Sequence, residues 1–594
     1  MLYPIARNGW NSLRINHTFN INALMTIAAI GALIIGEYLE AATVIFLFVI
    51  GEALEGYTAS RARASIGALM ALKPQQALVI RDGQELLLPV EEVTIGDEVL
   101  VKAGERIPVD GEIIAGESAI DQSPITGESV PVHKTVGDEV YTATVNGNGT
   151  LRVRVTALAE DNTLSRIIRL VEEAQSARAP SQRVVDRFAQ YYTPAVAILA
   201  LLVAVVPPLL FNAPFCDTPD GHGWLYRALA LLVIACPCAL VISTPVTVIS
   251  AITAAARQGV LIKGGAHLEA LGTLKAIIFD KTGTLTKGRP LVQYWRSVDC
   301  DTGADCELCD DVLALAAAVE RGSSHPLAQA VINAAQDRAL DVRYPVAETV
   351  ATLAGQGVTG QISNQQVTIG NHRWFDADYP HPTEICEQVA SLERQGQTAM
   401  LLHDGERVRG FISVADTLRD EGKTALSQLR KLGLYTVMST GDNREAAQAI
   451  GEQLGLDEIH AELLPEDKVQ VVQDLRQRLK NVAMVGDGVN DTPALAAAMV
   501  GIAMGAAGSA QALETADVAL MSDDLSKLPF TIRLARFARR LIKQNIVLSF
   551  GVKAMFIVLA LLGLASLWMA VLADVGVSLL VTLNGMRPMR QTTD

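Results

Sequence analysis

The chain has little cysteine, few aromatic residues and no excess of positive charge. Its 594 residues include 7 cysteines and 5% aromatic residues, and 49 lysines and arginines stand against 64 acids, a formal charge of −15. So few cysteines in so long a chain do not form the disulfide framework of a secreted scaffold, so the polar parts are expected in a reducing cytoplasm. The negative charge argues against nucleic acid as a partner.

A cleavable secretion signal and internal repeats are also missing. The stretch from Met1 to Thr18 is polar and lacks the hydrophobic run of a leader peptide. Hydrophobic residues, in contrast, make up 50% of the chain, and the mean hydropathy is positive. Because an ordinary soluble protein does not have this balance, we expect segments embedded in a lipid bilayer, within about three or four domains overall.

Six apolar stretches are long enough to cross a bilayer, and they fall into three hairpins. Basic residues cluster beside one set of their ends, so the positive-inside rule places both large polar insertions in the cytoplasm. We therefore predict an α-helical bundle of six transmembrane segments. The stretches run roughly from Ile21 to Ile35, Ala41 to Tyr57, Pro194 to Phe211, Leu225 to Ala256, Ile546 to Leu562 and Leu564 to Leu583.

The two polar insertions differ in their pattern. The first, about 62–185, alternates apolar and polar residues between turn signals and predicts a small β domain. The second, about 264–535, alternates strand-like and helical segments, which predicts a doubly wound parallel sheet with an α+β domain inserted at about 291–412. The predicted divisions of the chain are 1–61, 62–185, 186–263, 264–290, 291–412, 413–535 and 536–594.

An aspartate follows a predicted buried strand early in the second insertion. Asp280 opens the string Asp280-Lys281-Thr282-Gly283-Thr284-Leu285-Thr286 directly after an apolar run from Ala276 to Phe279. Open α/β sheets bind ligands at the carboxyl ends of their strands, and the Lys, Thr and Gly that follow offer donors to a phosphoryl group. Asp280 is therefore a candidate phosphate-accepting nucleophile, whereas an isolated Asp here would simply cap a turn.

The string resembles the phosphorylation motif of P-type ATPases, ion pumps that form an aspartyl-phosphate intermediate. This resemblance implies a haloacid-dehalogenase-like fold, so a soluble phosphatase of that fold is the nearest alternative. By the same resemblance, Mg²⁺ is expected at Asp280, the Thr282 backbone and Asp487. Three further strand-end sites match the P-type pattern: Thr440-Gly441-Asp442, Lys468, and Gly486-Asp487-Gly488-Val489-Asn490-Asp491. The resemblance implies that Thr440 and Lys468 contact the phosphate and that Asn490 and Asp491 support the residues around the phosphate and Mg²⁺.

The β domain carries a string that is similar to the actuator loop of these pumps, Thr126-Gly127-Glu128-Ser129. A glutamate on a mobile, glycine-containing loop can position and deprotonate water against an aspartyl phosphate. The resemblance therefore implies that Glu128 ends the phosphoenzyme, although an ordinary turn is the simpler interpretation of these four residues taken alone.

The inserted domain has features similar to the nucleotide-binding domain of the heavy-metal subgroup. Glycine lets a backbone approach a nucleotide closely, and a histidine ring can pack against adenine. The resemblance implies ATP binding, with Asp442 of the parallel-sheet domain also on the nucleotide. The matching residues are Glu320, Ser324-His325-Pro326 and Gly355-Gln356-Gly357.

A transport site is indicated by Cys236-Pro237-Cys238 inside the fourth apolar stretch. Residues two apart on a regular helix point to different sides, but proline removes a backbone hydrogen bond and unwinds the turn, so both sulfurs can face one cavity. Thiolates select soft or borderline cations, whereas two free cysteines in an apolar helix would otherwise be packing residues. The string also resembles that of heavy-metal P-type pumps.

Two charged residues in the last hairpin, Lys553 and Asp574, indicate which metal is carried, since unpaired charge in lipid is expensive. If Asp574 is the third ligand, the thiolates of Cys236 and Cys238 and the Asp574 carboxylate carry three negative charges. A divalent ion and the Lys553 ammonium neutralise all three, whereas a monovalent copper ion would leave one negative charge in the membrane. The resemblance agrees, because Lys553 with Asp574-Val575-Gly576 looks like the zinc, cadmium and lead subgroup. After release of the metal, Lys553 is expected to act as the counterion of Asp574.

Several polar residues keep two interpretations each. Four glutamates at the first hairpin either line an exit route or snorkel at the membrane interface: Glu37, Glu40, Glu52 and Glu55. The Cys/Asp-rich segment with Cys300, Cys306 and Cys309 either binds metal or forms a solvated loop.

Taken together, the sequence predicts an ATP-driven exporter of Zn²⁺, also Cd²⁺ and Pb²⁺, in a bacterial plasma membrane, similar to bacterial zinc-transporting ATPases. The alternatives are a copper(I) pump and a membrane-anchored phosphohydrolase or regulator without transport. The family usually has eight membrane segments and often an amino-terminal Cys-rich domain, whereas this chain starts near the third segment. We interpret it as lacking the usual amino-terminal region, and we expect a cytoplasmic metal donor as a partner.

Overall fold

The computed structural model divides the protein into two compact units. One comprises Met1–Thr273, Leu520–Ser522 and Phe530–Asp594, and the other Leu274–Ala519 and Asp523–Pro529. The structure describes residues 2–15, 21–39, 41–50, 53, 56, 74–81, 83–126, 131–176, 179–216, 218, 222–234, 238–300, 306–323, 326–353, 356–442, 444–487, 491–505, 514–562, 564 and 566–591.

The first unit contains a β domain and apolar helices. Its strands are β1 (Gln76–Arg81), β2 (Gln84–Pro89), β3 (Glu98–Val101), β4 (Gly111–Ala115), β5 (Ser118–Asp121), β6 (Val132–Lys134), β7 (Glu139–Val140), β8 (Val145–Asn146), β9 (Leu151–Val155) and β10 (Val260–Ile262). Its helices are α1 (Leu2–Ile15), α2 (Ile21–Ile34), α3 (Ala41–Ile50), α4 (Ser123–Thr126), α5 (Thr163–Ser176), α6 (Pro180–Phe211), α7 (Trp224–Ile234), α8 (Cys238–Arg257) and α9 (Gly265–Leu271), followed near the carboxyl end by two more, Lys527–Leu561 and Leu567–Gly585.

The predicted small β domain is present as two antiparallel sheets. One has the strand order β2-β1-β3-β9-β4-β7 and the other β6-β5-β8. Alternation decides which side chains are inside: in β9, Leu151, Val153 and Val155 are buried while the arginines between them are exposed. The buried Asp110 carboxylate joins the domain to the start of α5, because it accepts hydrogen bonds from the backbone N–H groups of Thr142 at 2.7 Å and Thr163 at 2.6 Å.

The apolar helices pack on one another through small and branched side chains. Their shared core includes Leu24 and Ala28 of α2, Val44 of α3, and Leu229 and Leu231 of α7. Within the described residues, four helical segments are long and apolar enough to cross a membrane, and α2 and α3 are shorter apolar helices at the first predicted hairpin. The six-segment count therefore stays a prediction. The four long segments are Pro180–Phe211, Trp224–Arg257, Lys527–Leu561 and Trp568–Arg590.

The second unit combines a parallel sheet and an antiparallel sheet. Its strands are β11 (Ala276–Asp280), β12 (Thr286–Ser297), β13 (Glu348–Leu353), β14 (Gly357–Ile362), β15 (Gln365–Asn371), β16 (Thr398–His403), β17 (Val408–Leu418), β18 (Tyr435–Ser439), β19 (Glu458–His460), β20 (Val482–Gly486), β21 (Val500–Ala503) and β22 (Val518–Leu520). Its helices are α10 (Glu307–Glu320), α11 (Pro326–Asp337), α12 (His372–Asp378), α13 (Thr383–Arg394), α14 (Gly422–Lys431), α15 (Arg444–Leu454), α16 (Pro465–Leu479) and α17 (Thr492–Ala497). In chain order, the two carboxyl-terminal helices that were given with the first unit are α18 (Lys527–Leu561) and α19 (Leu567–Gly585).

The parallel sheet confirms the predicted doubly wound fold. Within this unit its strands run in the order β22-β21-β20-β11-β18-β19. Every residue of the central strand β11 is buried, as expected for a strand covered on both faces by helices. Because β18 and β20 flank β11 in parallel, the carboxyl ends of all three strands lie at the same edge of the sheet.

The domain inserted between β11 and β18 is built on the antiparallel sheet β12-β17-β16-β15-β14-β13. Helices α10 and α11 cover one face through residues such as Val312, Val319 and Val331. Helices α12 and α13 cover the other face through Phe375, Ile385 and Val389. The insertion is therefore a layered α+β domain with its own core on each side of the sheet.

Candidate functional site

Asp280 ends β11 at the edge of the sheet where β18 and β20 also end. It is 6% exposed and pairs in register with Ser439, the residue before Thr440. On its other side, β20 ends at Gly486, the residue before Asp487. The structure therefore brings three of the predicted strand-end residues to the same edge of the sheet.

Lys468 makes the closest charged contacts of this site. Its Nζ lies 2.5 Å from Asp280 Oδ1 and 2.8 Å from Asp491 Oδ1. Lys468 lies in the first turn of α16, whose Leu464 N–H donates to Asp467 Oδ2, and the side chain reaches across to the strand end. Burial lowers the pKa of Lys468, but the two carboxylates outweigh burial and raise it above its ordinary value. The lysine is therefore held as a cation against Asp280.

Carboxylates outnumber cations around Asp280. Burial, and after it the charges of Asp491 and Asp487, raise the pKa of Asp280 to about 6 against the opposing effect of Lys468. Burial also raises the pKa of Asp491. The carboxylates of Asp280, Asp487 and Asp491 outnumber the Lys468 ammonium, so the site has an excess of negative charge and a set of hard oxygen ligands, which fit Mg²⁺.

A second ion pair joins the strand ends. The Lys281 ammonium contacts the Asp442 carboxylate. Asp442 is also tied to the neighbouring loop, because its backbone N–H donates to Thr440 Oγ1 at 3.1 Å. The two predicted threonines differ in exposure: Thr440 is buried at the end of the sheet, whereas Thr282 is exposed to solvent.

Two residues that the sequence reasoning missed hold the loop after Asp280. Arg419 donates to the carbonyls of Thr284 at 2.9 Å and Gly283 at 3.0 Å. Asp416 accepts from Thr286 Oγ1 at 2.5 Å. Asp416 lies near the end of β17 and Arg419 directly follows it, both far along the chain from Asp280. The one sequence signal for their role was their position where the chain returns from the inserted domain to the parallel sheet. They fix the loop whose Gly283 has a positive φ of 72°.

The membrane helices bring Lys553 and Asp574 together. Nζ of Lys553 on α18 lies 2.8 Å from Oδ1 of Asp574 on α19, and 3.4 Å from the backbone oxygen of Ile234, the last residue of α7. Lys553 is 8% exposed. Cys236 lies outside the described residues, and Cys238 begins α8, so the ion pair lies near the end of α7 that leads into the Cys-Pro-Cys string.

The predicted nucleotide residues are described only in part, since His325 and Gly355 lie outside the described residues, as do Glu128 and Asn490. Glu320 ends α10 and is buried, which raises the pKa of its carboxyl group to about 7. Gly357 begins β14 where a Cβ would lie 2.1 Å from the Ile369 oxygen, so no other residue fits there without a shift of the backbone. The contact of Glu320, His325, Gly355 and Gly357 with a nucleotide therefore stays a prediction.

The cysteine-rich segment at the edge of the inserted domain is not a solvated loop at its described cysteines. Cys300 and Cys309 are buried, and Cys306 Sγ lies 2.8 Å from Cys300 Sγ and 3.0 Å from Cys309 Sγ. Burial raises the pKa of Cys309 to about 12. The solvated-loop interpretation is wrong for Cys300 and Cys309, because both are buried and the Ser297 N–H at the end of β12 donates to Cys309 Sγ, whereas Cys306 is half-buried.

Two protein families match the chain. A haloacid dehalogenase-like hydrolase family matches residues 274–498, which include Asp280, Thr440, Lys468 and Asp487. A P-type ATPase actuator domain family matches residues 71–172, which include Glu128.

Full-length relatives are similar over almost the whole chain. The cadmium-transporting ATPase of Staphylococcus aureus is 46% identical over 593 residues, covering 99% of this chain and 80% of that protein. The zinc/cadmium/lead-transporting P-type ATPase of Escherichia coli K12 is 46% identical over 592 residues, with 99% and 78% covered. A crystal structure of a zinc-transporting PIB-type ATPase in the E2.Pi state matches with a TM-score of 0.63 and 44% identity, covering 99% of this chain and 93% of that one. The similarity extends far beyond the hydrolase domain that a soluble phosphatase would share.

Proposed function

The chain belongs to the heavy-metal P-type ATPases, and from that premise we propose that it exports Zn²⁺, and also Cd²⁺ and Pb²⁺, from the cytoplasm with Asp280 as the phosphorylated residue. It is a multi-pass ATPase of a bacterial plasma membrane with large cytoplasmic domains. The observation that carries the proposal is the contact of Lys468 with Asp280 at the end of β11, beside Asp487 and Asp491.

Asp280 acts as the nucleophile toward ATP. Its carboxylate oxygen forms a bond to the γ-phosphorus while the bond from that phosphorus to the β,γ-bridging oxygen breaks, and ADP leaves with the electron pair. A pKa of about 6 leaves the carboxylate roughly nine-tenths ionised at neutral pH. Lys468 and Thr440 face the transferred group, where an ammonium and a hydroxyl stabilise the charge on the phosphoryl oxygens.

Magnesium is the resident ion that this site requires, and Asp280, the Thr282 carbonyl and Asp487 would hold it, with Asn490 and Asp491 in support. When bound, Mg²⁺ neutralises charge on the phosphate oxygens and on the carboxylates that surround Asp280. The fit rests on the excess of carboxylates over cations at this strand end.

The inserted domain presents ATP and the β domain ends the cycle. Glu320, His325, Gly355 and Gly357 form the nucleotide site, and Asp442 completes it from the parallel sheet. Glu128, in the string Thr126-Gly127-Glu128-Ser129, takes a proton from the water that attacks the aspartyl phosphate, which frees phosphate and restores Asp280.

The cargo is bound by Cys236, Cys238 and Asp574. These ligands carry three negative charges, which a divalent ion and the Lys553 ammonium together neutralise. The 2.8 Å contact between Lys553 Nζ and Asp574 Oδ1 supports this arithmetic, because the lysine is already within reach of the carboxylate that the metal would share. A cytoplasmic metal donor supplies the ion.

Transport and turnover test the proposal together. Purified protein in vesicles is assayed for ATP hydrolysis and metal uptake with Zn²⁺, Cd²⁺, Pb²⁺ and Cu⁺, beside the variants Asp280→Asn, Cys236→Ser and Asp574→Ala. We expect stimulation by the divalent ions and its loss in all three variants. Stimulation by Cu⁺ alone would overturn the choice of cargo, and hydrolysis without any uptake would favour a membrane-anchored phosphohydrolase.

A further inference from the structure

A group of metal-ligating side chains lies in the inserted domain, and none of its members is assigned to nucleotide or phosphate. We call it the His/Asp/Cys cluster. Two members lie on α12, one precedes α13 and one lies in its first turn, and one potential ligand atom from each lies within 4.8 Å of all the others. Its members are His372, Asp376, His381 and Cys386.

Four of the six distances among the ligand atoms are close to those of a tetrahedral metal site. Asp376 Oδ1 lies 3.4 Å from His372 Nε2, 3.3 Å from His381 Nε2 and 3.3 Å from Cys386 Sγ. His381 Nε2 lies 3.0 Å from Cys386 Sγ. A tetrahedral Zn²⁺ site, with Zn–N near 2.0–2.1 Å and Zn–S near 2.3 Å, has ligand atoms about 3.3–3.6 Å apart. The four side chains are therefore close enough to enclose an ion once they adjust around it.

Each histidine is oriented by its other ring nitrogen. Nδ1 of His381 lies 2.7 Å from the Tyr379 backbone oxygen, and Nδ1 of His372 lies 3.4 Å from Glu393 Oε2. Such outer contacts are what metal-ligating histidines make, since they fix the tautomer that leaves Nε2 free to bind. Nε2 of His372 is buried and has no hydrogen-bond partner among the described residues, although Asp376 Oδ1 is nearby.

The core beneath the cluster fixes its geometry. Phe375, the neighbour of Asp376, and Ile385, the neighbour of Cys386, are buried in the same apolar core between α12, α13 and the sheet. The ligands therefore lie on two short helices and on the turn between them, and apolar packing holds the helices together, which limits the ordering cost of binding an ion.

We propose that the His/Asp/Cys cluster binds one divalent cation of the zinc class, at a site separate from the transport site. Two neutral imidazoles, one carboxylate and one thiolate give a formal charge that a divalent ion neutralises. Imidazole and thiolate exclude Mg²⁺ and Ca²⁺, which take oxygen ligands. The ion joins α12 to α13 and releases the Cys386 thiol proton to solvent.

Protection of Cys386 from alkylation tests the site in the full chain. The detergent-solubilised protein is treated with N-ethylmaleimide in EDTA or in micromolar free Zn²⁺, and modification of Cys386 is followed by peptide mass spectrometry. We expect Zn²⁺ to slow the reaction at least about ten-fold, because the coordinated sulfur is blocked. Cys216, an exposed free cysteine, is the internal control that Zn²⁺ leaves unprotected.

Variants of the cluster test whether Zn²⁺ protects Cys386 by coordinating its thiolate. His381→Ala and the isosteric Asp376→Asn are expected to abolish it, whereas His133→Ala, which removes an exposed histidine of the β domain, keeps it. Unchanged alkylation of Cys386 in Zn²⁺, or protection that survives both cluster variants, would overturn the proposal. Neither result bears on transport, so the proposed function stands or falls separately.

Stoichiometry gives a second readout. In a Cys236→Ser, Cys238→Ser, Cys306→Ser background, which removes ligands from the other thiol groups, we expect one Co²⁺ per chain with the thiolate charge-transfer band of a tetrahedral site. Cys386→Ser removes that band. A chain that binds no Co²⁺ in this background would contradict the assignment.

Discussion

Lys468 and Lys553 each pair with aspartate, but in different surroundings. In the parallel-sheet unit, Lys468 contacts both Asp280 and Asp491, with Asp487 adding further negative charge. Between the membrane helices, Lys553 contacts Asp574 and a backbone oxygen. The first lysine is outnumbered by carboxylates, whereas the second forms a balanced pair.

The difference in charge balance explains what each site can accept. An excess of carboxylates leaves room for another cation, as a magnesium-dependent phosphorylation site requires. A balanced pair in a low-dielectric region accepts a divalent ion only if that ion brings further anionic ligands, and Cys236 and Cys238 are the thiols next along the chain from Ile234.

Removing the nucleophile should give the largest effect. Asp280→Asn replaces the attacking carboxylate with an amide, so we expect the acid-stable phosphoenzyme to disappear and ATP turnover to fall at least about 10³-fold. The measurement is the incorporation of γ-labelled phosphate after acid quenching. Asp474→Asn, an exposed carboxylate on α16, should remain active, and label retained by Asp280→Asn would refute the assignment.

Breaking the membrane pair should come next. Lys553→Ala leaves the Asp574 carboxylate buried without its partner, which costs about 3–5 kcal/mol, so we expect a lower melting temperature in detergent and impaired metal release. The double variant Lys553→Ala, Asp574→Ala should recover stability but not transport. Lys543→Ala, an exposed lysine on the same helix, is the control, and unchanged transport in Lys553→Ala would defeat the counterion role.

Lys468→Ala should act on the rate of phosphoryl transfer. The ammonium both stabilises the transferred group and lowers the pKa of Asp280, so we expect phosphoenzyme formation to slow about 10²-fold. Rapid-quench kinetics measure this step, with Lys423→Ala, exposed on α14, as control. A normal rate in Lys468→Ala would mean that its contact with Asp280 is structural only.

The smallest effect is a shift in pH dependence. Burial raises the pKa of Asp280 from 3.8 to about 6, and only the ionised carboxylate attacks, so phosphorylation should weaken as the pH falls through 6. Below that value we expect about a ten-fold loss for each pH unit. Removing Lys468 raises the pKa further, so the acidic limb in Lys468→Ala should move to higher pH. An acidic limb near pH 4 in the parent would contradict the raised pKa.

Strand patterns predicted which strand-end residues lie at one edge of the sheet, because neighbouring parallel strands end on the same side. The apolar runs before Asp280, Thr440 and Asp487 became β11, β18 and β20, whose carboxyl ends lie together. Arg419 and Asp416 were not predicted, because they approach the loop only after the chain returns from the inserted sheet. In the membrane, the charge arithmetic for Lys553 and Asp574 agrees with their contact.

The sequence by itself determined the fold class, the strand-end residues and the charged pair in the last hairpin, since periodicity and the cost of buried charge act locally along the chain. Only the tertiary structure decided that Lys468 is shared between two carboxylates and that His372, Asp376, His381 and Cys386 meet. The physical reason is that these contacts depend on how the helices pack on a sheet. That packing is set by how side chains fill the core, and the local sequence pattern does not reveal which distant side chains it brings together.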